Sequence, residues 1–233
     1  MVNITVGIEK CINSLGEKFL KWPHNFFTES DAHSFLYYYI FRSGPKELKL
    51  FYPTQNNGEK TVLIHREYPT NFRYHKKDMC LDETTGGRGH YDLVILDPDF
   101  IANHNINEVI AQDYKNTCQK DTKNHLIAAI EFKLITKPLS NTLKDEIRKD
   151  FEKLSWAVKE KAQARNAYLI IFNRARKEEA FGQEMKKIAN DNLDVKCIYI
   201  ESIRGKNKSH KVLYLNSWEN KLRYETHNSS RNT

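Results

Sequence analysis

The sequence predicts an α/β fold, bordering on α+β, in which a mixed central β-sheet is flanked by helices. Three strand-like segments follow an amphipathic helix, and a long helix then separates the third from a further buried strand. Strands that follow one another directly favour an antiparallel meander, whereas a strand reached through a helix is added in parallel. The predicted core order is therefore helix, strand, strand, strand, helix, strand (αβββαβ).

Two helices are predicted before the first strand. The earlier one ends at Trp22-Pro23, because proline cannot continue a helix, and its apolar residues recur at helical spacing: Ile8, Cys11, Ile12, Leu15 and Phe19. The later one follows N-cap candidates and first-turn acids in residues 28–31 and stops at Ser43-Gly44-Pro45. This later helix is the first helix of the predicted core.

The strands are predicted from runs of apolar and β-branched residues. The first covers residues 61–68 and ends at Pro69, and the second covers residues 91–96 and ends at Asp97-Pro98. The third covers residues 126–134. Together they form the predicted meander.

The remaining elements alternate between helix and strand. The patterns predict a helix over 143–164, a buried strand over 167–172, a helix near 178–188 and a strand over 195–200. We expect one domain over 1–223, with its core at about 29–201. Residues 98–124 form an insertion with one helical turn at 106–109 and are a candidate substrate loop, and the polar tail 224–233 is expected to be disordered.

Composition limits the classes of function. The formal net charge of +7 favours a polyanionic partner. The four cysteines, at Cys11, Cys80, Cys118 and Cys197, have no metal-ligand spacing and are typical of a reducing, cytoplasmic environment. There is no apolar run of membrane-spanning length, so no membrane partner is expected. Motifs of serine hydrolases, P-loop NTPases and dinucleotide-binding proteins are also missing.

The sequence Glu131-Phe132-Lys133 places two charges near the end of the buried third strand. Side chains alternate along a strand, so Glu131 and Lys133 share a face. Asp92 lies at the start of the second strand, and antiparallel pairing would bring it beside Glu131. Two carboxylates suit Mg²⁺, and an adjacent lysine can orient or deprotonate an attacking water, so the pattern favours phosphodiester hydrolysis.

Asp92 followed by Glu131-Phe132-Lys133, in this order of elements, resembles the PD-(D/E)XK nuclease superfamily over roughly residues 29–172. The resemblance implies a restriction-endonuclease-like fold and a Mg²⁺-dependent (or Mn²⁺-dependent) deoxyribonuclease. Asp92 and Glu131 would then be metal ligands, and Lys133 would position the water. Two departures are the long insertion and the Pro98-Asp99 pair, which lies beyond the second strand and too far from Glu131.

Further acids are candidates for the metal site. The resemblance implies an acid on the first core helix, and Glu29 fits this role better than Asp31, although both could simply cap the helix. Glu67 could face the metal, or it could pair with Arg66 or Arg73. The trio of Asp92, Glu131 and Lys133 also has a purely structural interpretation, as a salt-bridged cluster.

Cationic residues supply candidate contacts to nucleic acid. Arg88 lies in a predicted Gly-rich loop, and the other candidates are Arg73, Lys76, Lys77 and Lys137. Lys149 and Lys153 could also reach a phosphate, but the preferred interpretation is that they pair with Asp145 and Asp150 on the surface, at helical spacing. DNA is the expected substrate, with RNA as an alternative. A homodimer would be needed to cut both strands of a duplex, and an inactive nucleic-acid-binding or scaffold protein is the competing hypothesis.

Overall fold

A computed structural model of the chain describes residues 4–55, 58–75, 77, 80–81, 86–110, 123–138, 140–175, 179–202 and 210–214. Within these residues the α-helices are α1 (Ile4–Lys21), α2 (Glu29–Ser43), α3 (Pro98–Asn103), α4 (Ile106–Val109), α5 (Asn141–Val158) and α6 (Glu179–Asp191). The strands are β1 (Tyr52–Pro53), β2 (Lys60–Thr61), β3 (Ile64–His75), β4 (Cys80–Leu81), β5 (Gly87–Leu96), β6 (Leu126–Ile135), β7 (Ala167–Asn173), β8 (Val195–Ser202) and β9 (His210–Tyr214). Short 3-10 helices cover Pro23–Asn25 and Lys46–Lys49.

The central sheet has the strand order β4-β3-β5-β6-β7-β8-β9. β3, β5 and β6 pair antiparallel, and β7 and β8 are then added in parallel. The α/β prediction is confirmed, as is the expected meander followed by a parallel addition. The crossover from β6 to β7 runs through α5, which is the long helix that the sequence predicts after the third strand.

Helices cover both faces of this sheet. On β6, Phe132 packs against His33 of α2, whereas the neighbouring residue Glu131 contacts Lys153 of α5. Since successive side chains point to opposite faces of a strand, α2 and α5 lie on opposite sides. Buried apolar residues of the helices and strands form one contiguous cluster. No helix in the described part of the chain is long and apolar enough to cross a membrane.

An aromatic group in this core fixes the approach to α2. The ring of Phe26 lies 5.2 Å from that of Phe19 on α1 and 5.3 Å from that of Phe172 on β7, and all three side chains are fully buried. Aromatic pairs at these separations add to the stabilisation from apolar burial. The segment between α1 and α2 is thereby held against the sheet.

The boundary predicted at Pro69 is wrong. β3 continues through Pro69, which lies opposite His90, and ends at His75. Among the described residues, β4 pairs with β3 at Tyr74 and His75 and not at Pro69. In the described part of the chain β3 is therefore an edge strand at Pro69, where a proline is tolerated.

The predicted loop at residues 86–89 is also wrong in part, because residues 87–89 belong to β5. A Cβ on Gly86 would lie 2.8 Å from backbone atoms of Tyr74, and one on Gly89 would lie 2.5 Å from the Tyr74 hydroxyl. These glycines make room for a tyrosine across the hairpin rather than forming a turn.

Other boundaries differ more modestly. α5 ends at Val158 rather than near 164, and Ala164 instead forms a parallel bridge with Leu126. The sequence analysis did not identify β9. The insertion contains α3 in addition to the predicted turn at 106–109, while its residues 111–122 and the tail 224–233 lie outside the described residues.

Candidate functional site

The candidate site lies where β5 and β6 separate. The last pair of their ladder in this direction is Leu93 with Ile130, so Asp92 and Glu131 are the next residue on each strand. β6 continues to Ile135, paired on its other side with β7. Antiparallel pairing therefore brings Asp92 and Glu131 close together, as expected from the sequence. Both lie within their strands, however, and not at the strand start and strand end that the sequence predicts.

Beyond the end of the β5–β6 ladder, two carboxylates accept hydrogen bonds from the backbone amides of β6. Asp92 Oδ2 accepts a hydrogen bond from the Phe132 amide at 2.7 Å, and Glu29 Oε1 accepts one from the Leu134 amide at 3.2 Å. N–H groups of alternate residues point to the same edge of a strand. Asp92 of β5 and Glu29 of α2 thus lie one after the other along the exposed edge of β6.

A histidine on α2 supports Asp92. His33 is buried, and its Nε2 lies 3.5 Å from Asp92 Oδ2, while its Nδ1 accepts a hydrogen bond from Arg66 Nη2 at 3.2 Å. A guanidinium can only donate, so Nδ1 is the acceptor and Nε2 carries the proton that faces Asp92. Burial alone would raise the pKa of Asp92, but His33, the Phe132 amide and Lys153 outweigh it and hold the pKa below its usual range.

Glu131 turns towards the opposite face of the sheet. Its Oε1 lies 2.6 Å from Nζ of Lys153 on α5, and both residues are almost inaccessible, at 3% and 7% exposure. Burial raises the pKa of Glu131 well above its usual range, against the influence of Lys153. Burial acts to lower the pKa of Lys153, but Glu131 and Asp150 outweigh it and raise that pKa, so the ammonium is retained. Lys153 also donates to the carbonyl of His90 at 2.9 Å.

Lys133 connects the two helical layers. Its Nζ lies 3.5 Å from Glu29 Oε1 on α2 and 3.2 Å from Asp150 Oδ2 on α5. Burial would lower the pKa of Lys133, but these two carboxylates raise it. Lys133 is therefore held as an ammonium, a state that can orient a water or bind a phosphate but cannot accept a proton.

Glu29 stands at the first position of α2. The helix begins with a capping box, in which Asp31 accepts from the Thr28 amide at 2.8 Å. Asp31 is thus the capping acid, whereas Glu29 points to Lys133 and β6. Burial raises the pKa of Glu29, an effect that Lys133 and the Leu134 amide only partly offset.

A pocket of about 480 Å³ opens between α2 and the ends of β3, β5 and β6. Three acids line it, namely Glu29, Asp92 and Glu67, whereas Glu131 and Lys133 lie outside its lining. Glu67 has a φ of +50°. It lies between two pairs of the β3–β5 ladder, Arg66 with Leu93 and Tyr68 with Tyr91, which places it across from Asp92. Such a conformation is strained for a residue with a side chain, and strain of this kind is concentrated at functional sites.

The predicted nucleic-acid contacts are spread along the molecule. Arg88 donates through Nε to the Thr70 carbonyl at 3.0 Å, and Arg73 donates through Nη1 to the Gly86 carbonyl at 3.0 Å, so both have partners within the β3–β5 hairpin. Lys77 and Lys137 are exposed, and Lys76 lies outside the described residues. Of these candidates, the four that the structure describes (Arg73, Lys77, Arg88 and Lys137) do not line the pocket.

Asp97 does not line the pocket, and it follows the last residue of β5, whereas Asp92 lies in the middle of that strand. It caps α3 by accepting from the Asp99 amide at 2.8 Å, and it forms an ion pair with Arg165. Asp97 therefore has a structural role.

Sequence reasoning missed three residues of the cluster: His33, Asp150 and Lys153. His33 follows Glu29 by four positions, a spacing that places both on one helix face and could have identified it. The predicted pairing of Lys153 with Asp150 is confirmed, at 3.7 Å, but its predicted surface location is wrong. Asp150 also contacts Lys133, and Lys153 contacts Glu131. By contrast, Asp145 does form an exposed pair, with Arg148.

The donors at this site have the chemistry that Mg²⁺ prefers, since Asp92, Glu131 and Glu29 offer hard carboxylate oxygens. Among the described residues, no group of three or more His, Cys, Asp or Glu side chains is arranged to hold a metal ion. The Glu131 carboxylate is held by Lys153. Metal ligation by Glu131 would therefore require it to exchange Lys153 for the ion.

No family model, curated protein or solved structure matches this chain.

Proposed function

We propose that the protein is a Mg²⁺-dependent deoxyribonuclease of the PD-(D/E)XK type. The observation that carries the proposal is a concentration of acids where β5 and β6 separate. Four carboxylates (Glu29, Asp92, Glu131 and Asp150) share two ammonium groups, Lys133 and Lys153, within one network of ion pairs and coulombic interactions. The surrounding protein carries a formal net charge of +7.

This charge pattern suits a polyanionic substrate that needs a cation at the reaction centre. The positive protein attracts nucleic acid, but a phosphate approaching the acid cluster meets negative charge. A bound divalent ion would reverse that repulsion and supply Lewis-acid stabilisation of the phosphate and activation of a water. Asp92 and Glu131 would hold it, with Glu29 as the third candidate ligand and Glu67 as the fourth.

The other residues have roles that follow from their contacts. Lys133, held as an ammonium, would orient the attacking water and stabilise charge on the phosphate rather than remove the proton. His33 would hold the carboxylate of Asp92 in place, since it donates towards Oδ2 and packs on Phe132 with ring centroids 4.8 Å apart.

One observation favours the alternative of a nucleic-acid-binding protein without turnover. The Glu131 carboxylate already has an ammonium partner at 2.6 Å, as a structural salt bridge would. A protein in which Lys153 permanently replaces the metal would bind nucleic acid but not cut it.

The test is cleavage of supercoiled, linear and single-stranded DNA, and of single-stranded RNA, with Mg²⁺, Mn²⁺ or EDTA. Lys133→Ala and Glu131→Ala variants are compared with Lys187→Ala, which removes a lysine from the exposed surface of α6. Folding of each variant is checked by circular dichroism.

We expect cutting of DNA that EDTA abolishes, loss of cutting in the two site variants, and an unchanged rate in Lys187→Ala. Cutting of RNA but not DNA would assign the same site to a ribonuclease. Binding of DNA without cutting under any metal would reject the nuclease and support the binding protein.

A further inference from the structure

Phe27 is an exposed aromatic side chain at the candidate site. It is 73% exposed and lines the same pocket as Glu29 and Asp92. An isolated exposed apolar residue is common and needs no explanation by itself. This one differs because its backbone is held rigidly and because it stands beside the proposed reaction centre.

The neighbours of Phe27 fix its position. On one side, Phe26 is buried between Phe19 and Phe172. On the other side, Asp31 Oδ2 accepts hydrogen bonds from the amides of both Phe27 and Thr28 at 2.8 Å. The chain is anchored immediately before and after Phe27, so its ring is presented to solvent by a pre-organised segment. Pre-organisation of this kind lowers the entropy lost on binding.

Arg66 supplies a cation at the same pocket. Its Nη2 donates to Ser30 Oγ at 3.0 Å and to His33 Nδ1 at 3.2 Å, which holds the guanidinium at the pocket wall. A guanidinium has five N–H donors, and within the described part of the chain only those on Nη2 are engaged. The remaining donors have the fork geometry that phosphate groups match.

We infer that the mouth of the pocket is a nucleotide subsite, in which Phe27 stacks on an unpaired base and Arg66 binds an adjacent phosphate. The inference rests on the proposed function and refines its substrate class. A base inside a duplex has both faces covered, whereas an unpaired base has a face that an aromatic side chain can cover. The preferred substrate is therefore single-stranded DNA, or the unpaired segment of a partly duplex DNA.

The test measures binding in EDTA, so that its result does not depend on cleavage. A single-stranded oligonucleotide and its blunt duplex, each carrying a fluorescent adenine analogue, are titrated with wild type, Phe27→Ala, Phe27→Trp and Phe51→Ala. Phe51 is the matched control because it is 69% exposed and does not line the pocket. Moderate salt weakens the sequence-independent attraction to phosphates and leaves stacking visible.

Phe27→Ala removes the stacking on one base, and the typical contribution of such stacking to affinity predicts single-strand binding weaker by roughly 5- to 150-fold. Phe27→Trp should retain the affinity and the quenching of the adenine analogue, and Phe51→Ala should change neither. Duplex binding should be weaker than single-strand binding and insensitive to Phe27→Ala. Arg66→Ala should reduce the slope of log affinity against log salt by about one.

Equal binding of single strand and duplex, with no effect of Phe27→Ala, would overturn the subsite while leaving metal-dependent cleavage untouched. An equal loss of affinity in Phe27→Ala and Phe51→Ala would also overturn it, because the effect would then belong to exposed aromatics in general. Failure of the nuclease proposal is seen separately, as DNA that is bound but never cut with any metal.

Discussion

The buried pair of Glu131 and Lys153 gives the sharpest test of how this site is built. Substitution Lys153→Met keeps the length and apolar stem of the side chain but removes the ammonium. Glu131, at 3% exposure, then loses the partner that lies 2.6 Å away. Asp150 loses less, because Lys133 remains 3.2 Å from it.

Removing one partner of a buried ion pair typically costs about 3 to 5 kcal/mol, since a charge is left without compensation. The His90 carbonyl also loses its donor, so the upper part of this range is expected. The cost depends on pH. The folded-state pKa of Glu131 is raised, so the folded protein keeps a proton that the unfolded chain releases above about pH 4.3. Lys153 acts to lower the pKa of Glu131, so removing Lys153 raises the folded-state pKa of Glu131 further. The deficit of Lys153→Met should therefore be smallest in acid, where Glu131 is protonated with or without Lys153, and should grow as the pH rises through the wild-type folded-state pKa of Glu131.

Urea unfolding at several pH values measures this effect. Arg148→Met is the control on the same helix, because Arg148 forms an exposed pair with Asp145 and should lose no more than about 1 kcal/mol. The double variant Glu131→Gln/Lys153→Met should recover much of the stability, because no unpaired charge remains. The reasoning is refuted if Lys153→Met loses no more than Arg148→Met, or if its deficit shrinks as the pH rises.

Three further predictions concern single residues. Glu29→Gln should weaken the affinity for Mg²⁺, so that cleavage needs a higher Mg²⁺ concentration; an unchanged metal titration would give Glu29 a structural role only. Burial raises the pKa of Glu29, so the wild-type rate should fall on acidification at a higher pH than for an ordinary glutamate. Asp31→Asn should cost about 1 kcal/mol in urea unfolding at neutral pH. Backbone hydrogen bonds, chiefly from the amide of the residue preceding α2, lower the pKa of Asp31. The stability difference between wild type and Asp31→Asn should therefore be complete above about pH 4 and should disappear as acid protonates Asp31 in the folded protein. A stability difference that does not change with pH would contradict the capping role. Gly86→Ala should lose about 1 to 3 kcal/mol, because its Cβ would meet the Tyr74 backbone, whereas Gly87→Ala, which opens into empty space, should be nearly neutral by thermal melting.

Much of the architecture could be predicted from the sequence because local patterns are strong here. β6 begins with a continuous apolar run, β7 is apolar up to Phe172, and the segment between them has helical periodicity, so the parallel addition follows from a single connection. The meander before it orders the strands, and this ordering alone brings Asp92 and Glu131 close together. The proximity of the two acids follows from topology and needs no knowledge of side-chain packing.

What the sequence could not predict depends on tertiary contacts. Whether Pro69 ends a strand depends on which edge of β3 has a neighbour, and the glycines before Asp92 are explained only by Tyr74 across the hairpin. The partner of Glu131 depends on how α5 is rotated over the sheet. Asp150 and Lys153 have the spacing of an ordinary surface pair, and only packing reveals that Lys153 is buried.

Lys133 lies between a carboxylate from each helical layer, and this position affects how mutational data on the site can be interpreted. The ammonium of Lys133 on β6 forms ion pairs with both α2 and α5. Lys133→Ala would therefore weaken the packing of these elements at the same time as it removes a chemical group from the site. Lys133→Arg separates the two contributions, because it keeps a positive charge between both acids while changing the shape and reach of the donor. Activity lost with the fold intact in the arginine variant would measure chemistry alone, and the further loss in the alanine variant would measure the cohesion of the layers.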